Sequence, residues 1–151
     1  MKGLLILLVI LILLFFKYNI SNNHKKKEKE NKMFIFKNGY FIIESNQVNK
    51  AVNQIHHLIR QNSELMADQE KIMSTKLGIF PWVMKSWGWS VNTDESGNII
   101  SVDYFGNDHL IYQKMFFEHI ASNIKAGCYI NFTVGEINKT WFFDGYKMIE
   151  K

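Results

Sequence analysis

The chain has 151 residues, one cysteine, one proline and a formal net charge of +4, a length that fits one domain better than a two-domain enzyme. One cysteine excludes an intramolecular disulfide and a cysteine-based zinc cluster, so stability must come from an apolar core, which a composition 47% hydrophobic can supply. Residues 1–32 carry seven lysines against two glutamates while residues 33–151 carry 11 basic and 12 acidic side chains, so the basic balance lies outside the domain and no nucleic-acid partner is expected.

Residues 3–16, GLLILLVILILLFF, contain no polar side chain. As a helix they span about 21 Å, and continuation to Ile20 reaches about 27 Å, near the roughly 30 Å of a bilayer's hydrocarbon. Residues 1–20 therefore read as a transmembrane anchor or uncleaved signal segment, with the bilayer as partner. Its flanks are Lys2, Lys17, Tyr18, Lys25, Lys26 and Lys27, residues suited to snorkelling and to the headgroup interface. A cleaved signal competes with this reading, but the first alanine is Ala51 and Ser21 is the only small residue close behind the run. Lysine asymmetry places the following domain in the cytoplasm; action of residues 1–20 as an export signal would place it outside. Residues 21–32, SNNHKKKEKENK, carry no apolar side chain and form a basic polar tether.

Residues 33–151 read as a single α+β domain. Asn38-Gly39 between two Phe/Ile/Tyr-rich runs predicts a β-hairpin over 32–44. Val48, Val52, Ile55 and Ile59 predict a helix over 46–61 capped by Ser45 or Asn46, and a second helix follows over 64–77, with Leu65, Met66, Ile72, Met73 and Leu77 apolar and Gly78 ending it. Pro81 suits the first turn of a short helix running to Trp87. Residues 89–93 and 99–105 alternate around Asp94-Glu95-Ser96-Gly97, a second hairpin. A helix over 109–125, capped by Asn107 or Asp108 and closed by Gly127, leads to strands at 128–135, 140–143 and 146–149. The expected architecture is an antiparallel sheet built from hairpins, with helices packed on one face.

No phosphate loop, nucleophile elbow, zinc motif or calcium loop is present, so no catalytic residue, metal or cofactor is expected. His56 and His57 are adjacent and point about 100° apart on a helix, unlike an i, i+4 ligand pair. Asp108-His109 and Glu118-His119 read as cap and surface residues. Cys128 reads as a buried thiol, with a Cys128–His119 nucleophilic pair as the sharper alternative. Trp82, Trp87 and Trp89 cluster near the single proline; such aromatics pack cores and also make recognition hot spots. As a surface, they would form a binding site together with Asp103 and Asp108, which lie with Asp94 and Glu95 in an acidic stretch open to a basic partner.

Residues 116–145, FFEHIASNIKAGCYINFTVGEINKTWFFDG, resemble a C-terminal segment of small bacterial α+β proteins, immunity-like proteins among them. The matching positions are Ile120-Ala121, Gly127-Cys128-Tyr129-Ile130, Gly135-Glu136, Trp141-Phe142-Phe143 and Asp144-Gly145. The resemblance implies a non-catalytic domain that occludes a toxin or other protein partner; the N-terminal apolar segment departs from the pattern. The alternative expectation is an exported small-ligand-binding or hydrolytic domain with its site near Trp82, Trp87 and Trp89.

Overall fold

The chain divides between Lys32 and Met33 into two units. The computed structural model describes residues 34–106 and 109–151, so the expected anchor, the tether, Asn107 and Asp108 lie outside the described residues; the cap position expected of Asn107 or Asp108, before the helix at Leu110–Ile120, is held by His109 without a side-chain bond. Among the described residues no helix is long and apolar enough to cross a membrane.

The elements run β1 (Phe34–Tyr40), α1 (Ser45–Gln61), α2 (Ser63–Met66), α3 (Gln69–Leu77), α4 (Phe80–Ser86), β2 (Trp89–Thr93), β3 (Ile99–Tyr104), α5 (Leu110–Ile120) with a 3-10 turn at Ala121–Asn123, then β4 (Tyr129–Val134), β5 (Ile137–Phe143) and β6 (Met148–Glu150). The strands form an antiparallel four-stranded sheet in the order β1-β4-β5-β6 and a two-stranded β2-β3 sheet. The domain is thus α+β, with antiparallel sheets and helices packed on them.

The first hairpin does not form. Asn38 and Gly39 sit inside β1, opposite Asn131 and Ile130 of β4, and Gly39 has none of the positive φ that a tight Asn-Gly turn requires. The glycine serves close approach instead: a Cβ there would lie 2.9 Å from the Tyr129 carbonyl oxygen. A bulge between Phe36 and Asn38 absorbs one residue, and the second apolar run continues past the sheet to bury Phe41 and Ile43, the latter bridging to Ile99.

α1 buries Ala51, Val52, Ile55, Leu58 and Ile59. Neither Ser45 nor Asn46 caps it; Glu44 holds the cap position without a side-chain bond, and the Ser45 N–H donates to Asn98 Oδ1 of the β2–β3 turn at 2.9 Å. The helix expected over 64–77 is broken in two because Asp68 caps α3, accepting from the Lys71 N–H. Gly78, at φ 68°, ends α3, and Pro81 opens α4. α5 stops at Ile120, short of the expected 125, where the 3-10 turn tightens the chain. Gly135, at φ 64°, shortens the β4–β5 turn to two residues, so that Ile137–Lys139 belong to β5.

Aromatic rings from both sheets meet in the core. Phe34 contacts Trp89, Tyr104, Phe132 and Trp141 with centroid separations of 4.9 to 6.0 Å, and Phe117 of α5 contacts Trp89, Trp141 and Phe143 at 5.0 to 6.0 Å. Gly88 and Gly106 bring the ends of β2 and β3 into backbone contact; a Cβ on Gly88 would lie 2.6 Å from the Gly106 Cα.

Candidate functional site

The three clustered tryptophans part company in the fold. Trp87 and Trp89 are fully buried, whereas Trp82 on α4 is 56% exposed. Trp89 Nε1 donates to Gln113 Oε1 at 2.6 Å, and Gln113 Nε2 donates to the Trp87 carbonyl at 3.0 Å. Trp87 and Trp89 are therefore core residues, fixed by a buried glutamine, and cannot form the contact surface that the sequence left open for them. Trp82 can.

Trp82 faces α3, whose burial pattern is inverted. This helix buries Lys71, Ser74 and Thr75 and leaves Met73 and Leu77 about half exposed. Its polar groups are buried without orphaned atoms. Lys71 Nζ lies 2.7 Å from Asp68 Oδ2 and 5.1 Å from the centre of the Trp87 ring, a charge pair reinforced by the ring's negative face. Ser74 and Thr75 Oγ atoms lie within 3.0 Å of the Lys71 carbonyl one turn back, and Ser74 meets Ser86 of α4 at 2.9 Å. Burial pushes the Asp68 carboxyl up, but the hydrogen bonds from the Lys71 ammonium and N–H outweigh it and hold the group below the ordinary carboxylate range.

The exposed side of α3 and α4 forms a groove in two connected parts. The apolar part, about 400 Å³, is walled by Met73, Leu77 and Trp82. The polar part, about 460 Å³, contains Asp68, Lys71 and the exposed Phe105. Glu70 and Lys85 line both parts and form the waist between them. Neither waist residue is ion-paired among the described residues, so two opposite charges stand open beside an apolar wall. Among the described residues singled out from sequence, the structure brings only Trp82 to this groove. Asp103 is exposed on β3, accepting from the Tyr104 N–H, and is not part of the groove lining; Asp108 lies outside the described residues.

The titratable candidates remain apart. His56 is half-buried, its pKa lowered by burial and by Arg60, His57 and Lys76, and His57 is exposed. His109 lies against the Tyr112 ring, and His119 Nδ1 is 3.0 Å from the Met115 carbonyl. Cys128 is buried; the Ile42 N–H donates to its Sγ at 3.2 Å, and desolvation raises its pKa above the ordinary thiol value. Asp94 is closed into its own turn, accepting from Asn98 and Ser96, which lowers its pKa. Among the described residues no serine, threonine or cysteine side chain is hydrogen-bonded to a histidine, and no group of three or more His, Cys, Asp or Glu side chains could hold a metal.

No family model matches the chain, and no curated protein or solved structure shows significant similarity to it.

Proposed function

We propose that this chain is a membrane-tethered, non-catalytic binding domain that docks a protein partner in the α3–α4 groove, acting as an immunity-like protein that occludes a toxin. The observation that carries the reading is the inverted burial of α3: Lys71, Ser74 and Thr75 lie inside while Met73 and Leu77 join Trp82 at the surface. A helix that hides polar groups and shows apolar ones is shaped for a second surface. Trp82 has the character of a hot spot, a large ring beside apolar walls with charges at the margin. The waist suits a partner segment with a base to meet Glu70, an acid to meet Lys85 and an apolar side chain to meet Trp82. The resemblance over residues 116–145 points to the same class of function, and the apolar run at 1–20 and the lysine tether support action at a membrane.

The test begins with a photo-crosslinker at position 82 of the membrane-bound chain, followed by purification of the protein it captures and direct binding measurements. Trp82→Ala is expected to weaken that purified pair by about 30-fold or more, the scale of a hot spot. Its own stability should change by no more than about 0.5 kcal/mol because the ring is exposed. Trp87→Ala, by contrast, should cost about 3–5 kcal/mol of folding free energy, as expected of a buried aromatic. Unchanged affinity in Trp82→Ala counts against the groove as the docking site.

A further inference from the structure

The outer face of the four-stranded sheet carries a second arrangement, separate from the groove. Pairing register places Tyr40, Tyr129, Phe142 and Ile149 in one row across β1, β4, β5 and β6, and Asn38, Asn131, Thr140 and Lys151 in the row beside it. The side chains of the first row are exposed or half-buried, yet none belongs to the core or to the apolar residues packed against it. The polar row is locked: Asn131 Nδ2 donates to Asn38 Oδ1 at 2.8 Å, and Thr140 Oγ1 donates to Asn131 Oδ1 at 2.7 Å. These bonds hold the amides in fixed orientation beside the exposed Tyr40 and the half-buried Tyr129. Neither row contains an Asp or Glu side chain, and Lys151, poised 4.8 Å above the Phe142 ring, is the one charged side chain.

The geometry points to a platform for an uncharged, linear polysaccharide. A sugar ring presents an apolar C–H face to an aromatic ring and hydroxyls at its rim to amides and phenols. Here the aromatic row and the amide row run side by side in the direction such a chain would lie. The Tyr40 and Tyr129 ring centres are 6.5 Å apart, a separation on the scale of adjoining sugar rings. Other occupants fit less well. Three interstrand spacings give a width of about 14 Å and six residues a length of about 20 Å, so the face offers about 300 Å² against the roughly 800 Å² per partner of a stable protein interface. A second copy of the chain is thus short of area. A polynucleotide would find one lysine where it needs a cationic track, and a lipid surface would strip water from the amide row without replacing its hydrogen bonds. A polysaccharide is met on the outer side of the membrane, which corresponds to residues 1–20 acting as an export segment.

Calorimetric titration of the full chain in detergent micelles with chitotetraose and with cellotetraose tests this. Binding of at least one tetramer in the millimolar range or tighter is expected, weakened about tenfold by Tyr40→Ala, the worth of one stacked ring. Thr140→Val, which keeps side-chain shape and releases Asn131, should weaken binding as well while the melting temperature shows the domain folded. The inference is overturned if neither tetramer binds the folded chain at millimolar concentration, or if both variants bind as the native chain does. It is equally overturned if the face proves to hold a second copy, seen as self-association in sedimentation that Tyr40→Ala abolishes. None of these outcomes depends on Trp82 or its groove.

Discussion

Replacement of Gln113 by leucine isolates the contribution of one buried polar side chain to the fold. Gln113 is fully buried on α5 and joins two core tryptophans, accepting from Trp89 Nε1 and donating to the Trp87 carbonyl. Leucine nearly preserves the volume, so the cavity term is small, but an indole N–H and a carbonyl lose their partner. Each orphaned buried group costs about 1–3 kcal/mol. Leucine returns about 1 kcal/mol through its greater apolar burial, leaving an expected loss of about 1–5 kcal/mol for the two orphaned groups together. That is a large share of a domain stability of about 5–15 kcal/mol. Denaturant unfolding measures it, with the slope against denaturant checked for constancy. Trp89→Phe removes the same hydrogen bond from the other side, so the double variant should lose about 1–2 kcal/mol less than the sum of the single losses. A loss in Gln113→Leu below about 1 kcal/mol, or strict additivity in the double variant, would refute the claim that this glutamine organises the tryptophan core.

Two further outcomes follow from titratable groups. Burial raises the Glu150 pKa, but hydrogen bonds from Lys139 and Trp141 outweigh it, and those from Lys71 do the same at Asp68, so both carboxyls titrate below their ordinary values of 4.5 and 3.8. Stability that depends on their ionised forms is therefore present above those values and is lost as pH falls through the lower folded ones. Unfolding free energy should decline with acid below about pH 4.5, and more shallowly in Glu150→Gln; equal slopes in the two proteins would contradict the assignment. Cys128, buried and with a raised pKa, should resist a thiol reagent in the native protein and react once denaturant is added. Modification of the native protein at the rate of a free thiol would place Cys128 outside the core.

The α+β class was readable because its signals are local: the period of α1, the turn chemistry of the β2–β3 hairpin, the proline in α4 and the glycine after α3. What the sequence concealed is long-range. Asn38-Gly39 has the composition of a tight turn, yet Asn38 bonds Asn131, 93 positions along the chain, and the tertiary partner overrides the local preference. Likewise the first N–H of α1, that of Ser45, finds its acceptor in Asn98 Oδ1, 53 positions away, and neither Ser45 nor Asn46 caps the helix. The expected hairpin failed for the same reason the sheet succeeds: both apolar runs of residues 34–43 have better partners elsewhere, in β4 and at Ile99.

The groove was concealed by a different mechanism. Ile72, Met73 and Leu77 look like core positions, and Lys71, Ser74 and Thr75 look like surface. Ile72 does pack against the core, yet Met73 and Leu77 are exposed while Lys71, Ser74 and Thr75 go inside. The exchange is possible because every buried polar group on α3 finds a partner close by. Lys71 reaches Asp68 three residues back, Thr75 and Ser74 return to the Lys71 carbonyl, and Ser86 waits one helix on. Burial costs a polar group heavily only when its hydrogen bonds go unmade, so a helix that satisfies its own polar side chains can turn them inward at little cost. Met73 and Leu77 are then released to the surface, where Trp82 joins them. An acid at an N-cap with a lysine three residues later, followed by two hydroxyl residues in the next turn, is thus a sequence pattern compatible with an outward-facing apolar stripe. Hydrophobic periodicity alone assigns such a stripe to the core, and that is how it concealed Met73 and Leu77 while the tryptophan-rich segment drew attention to Trp82.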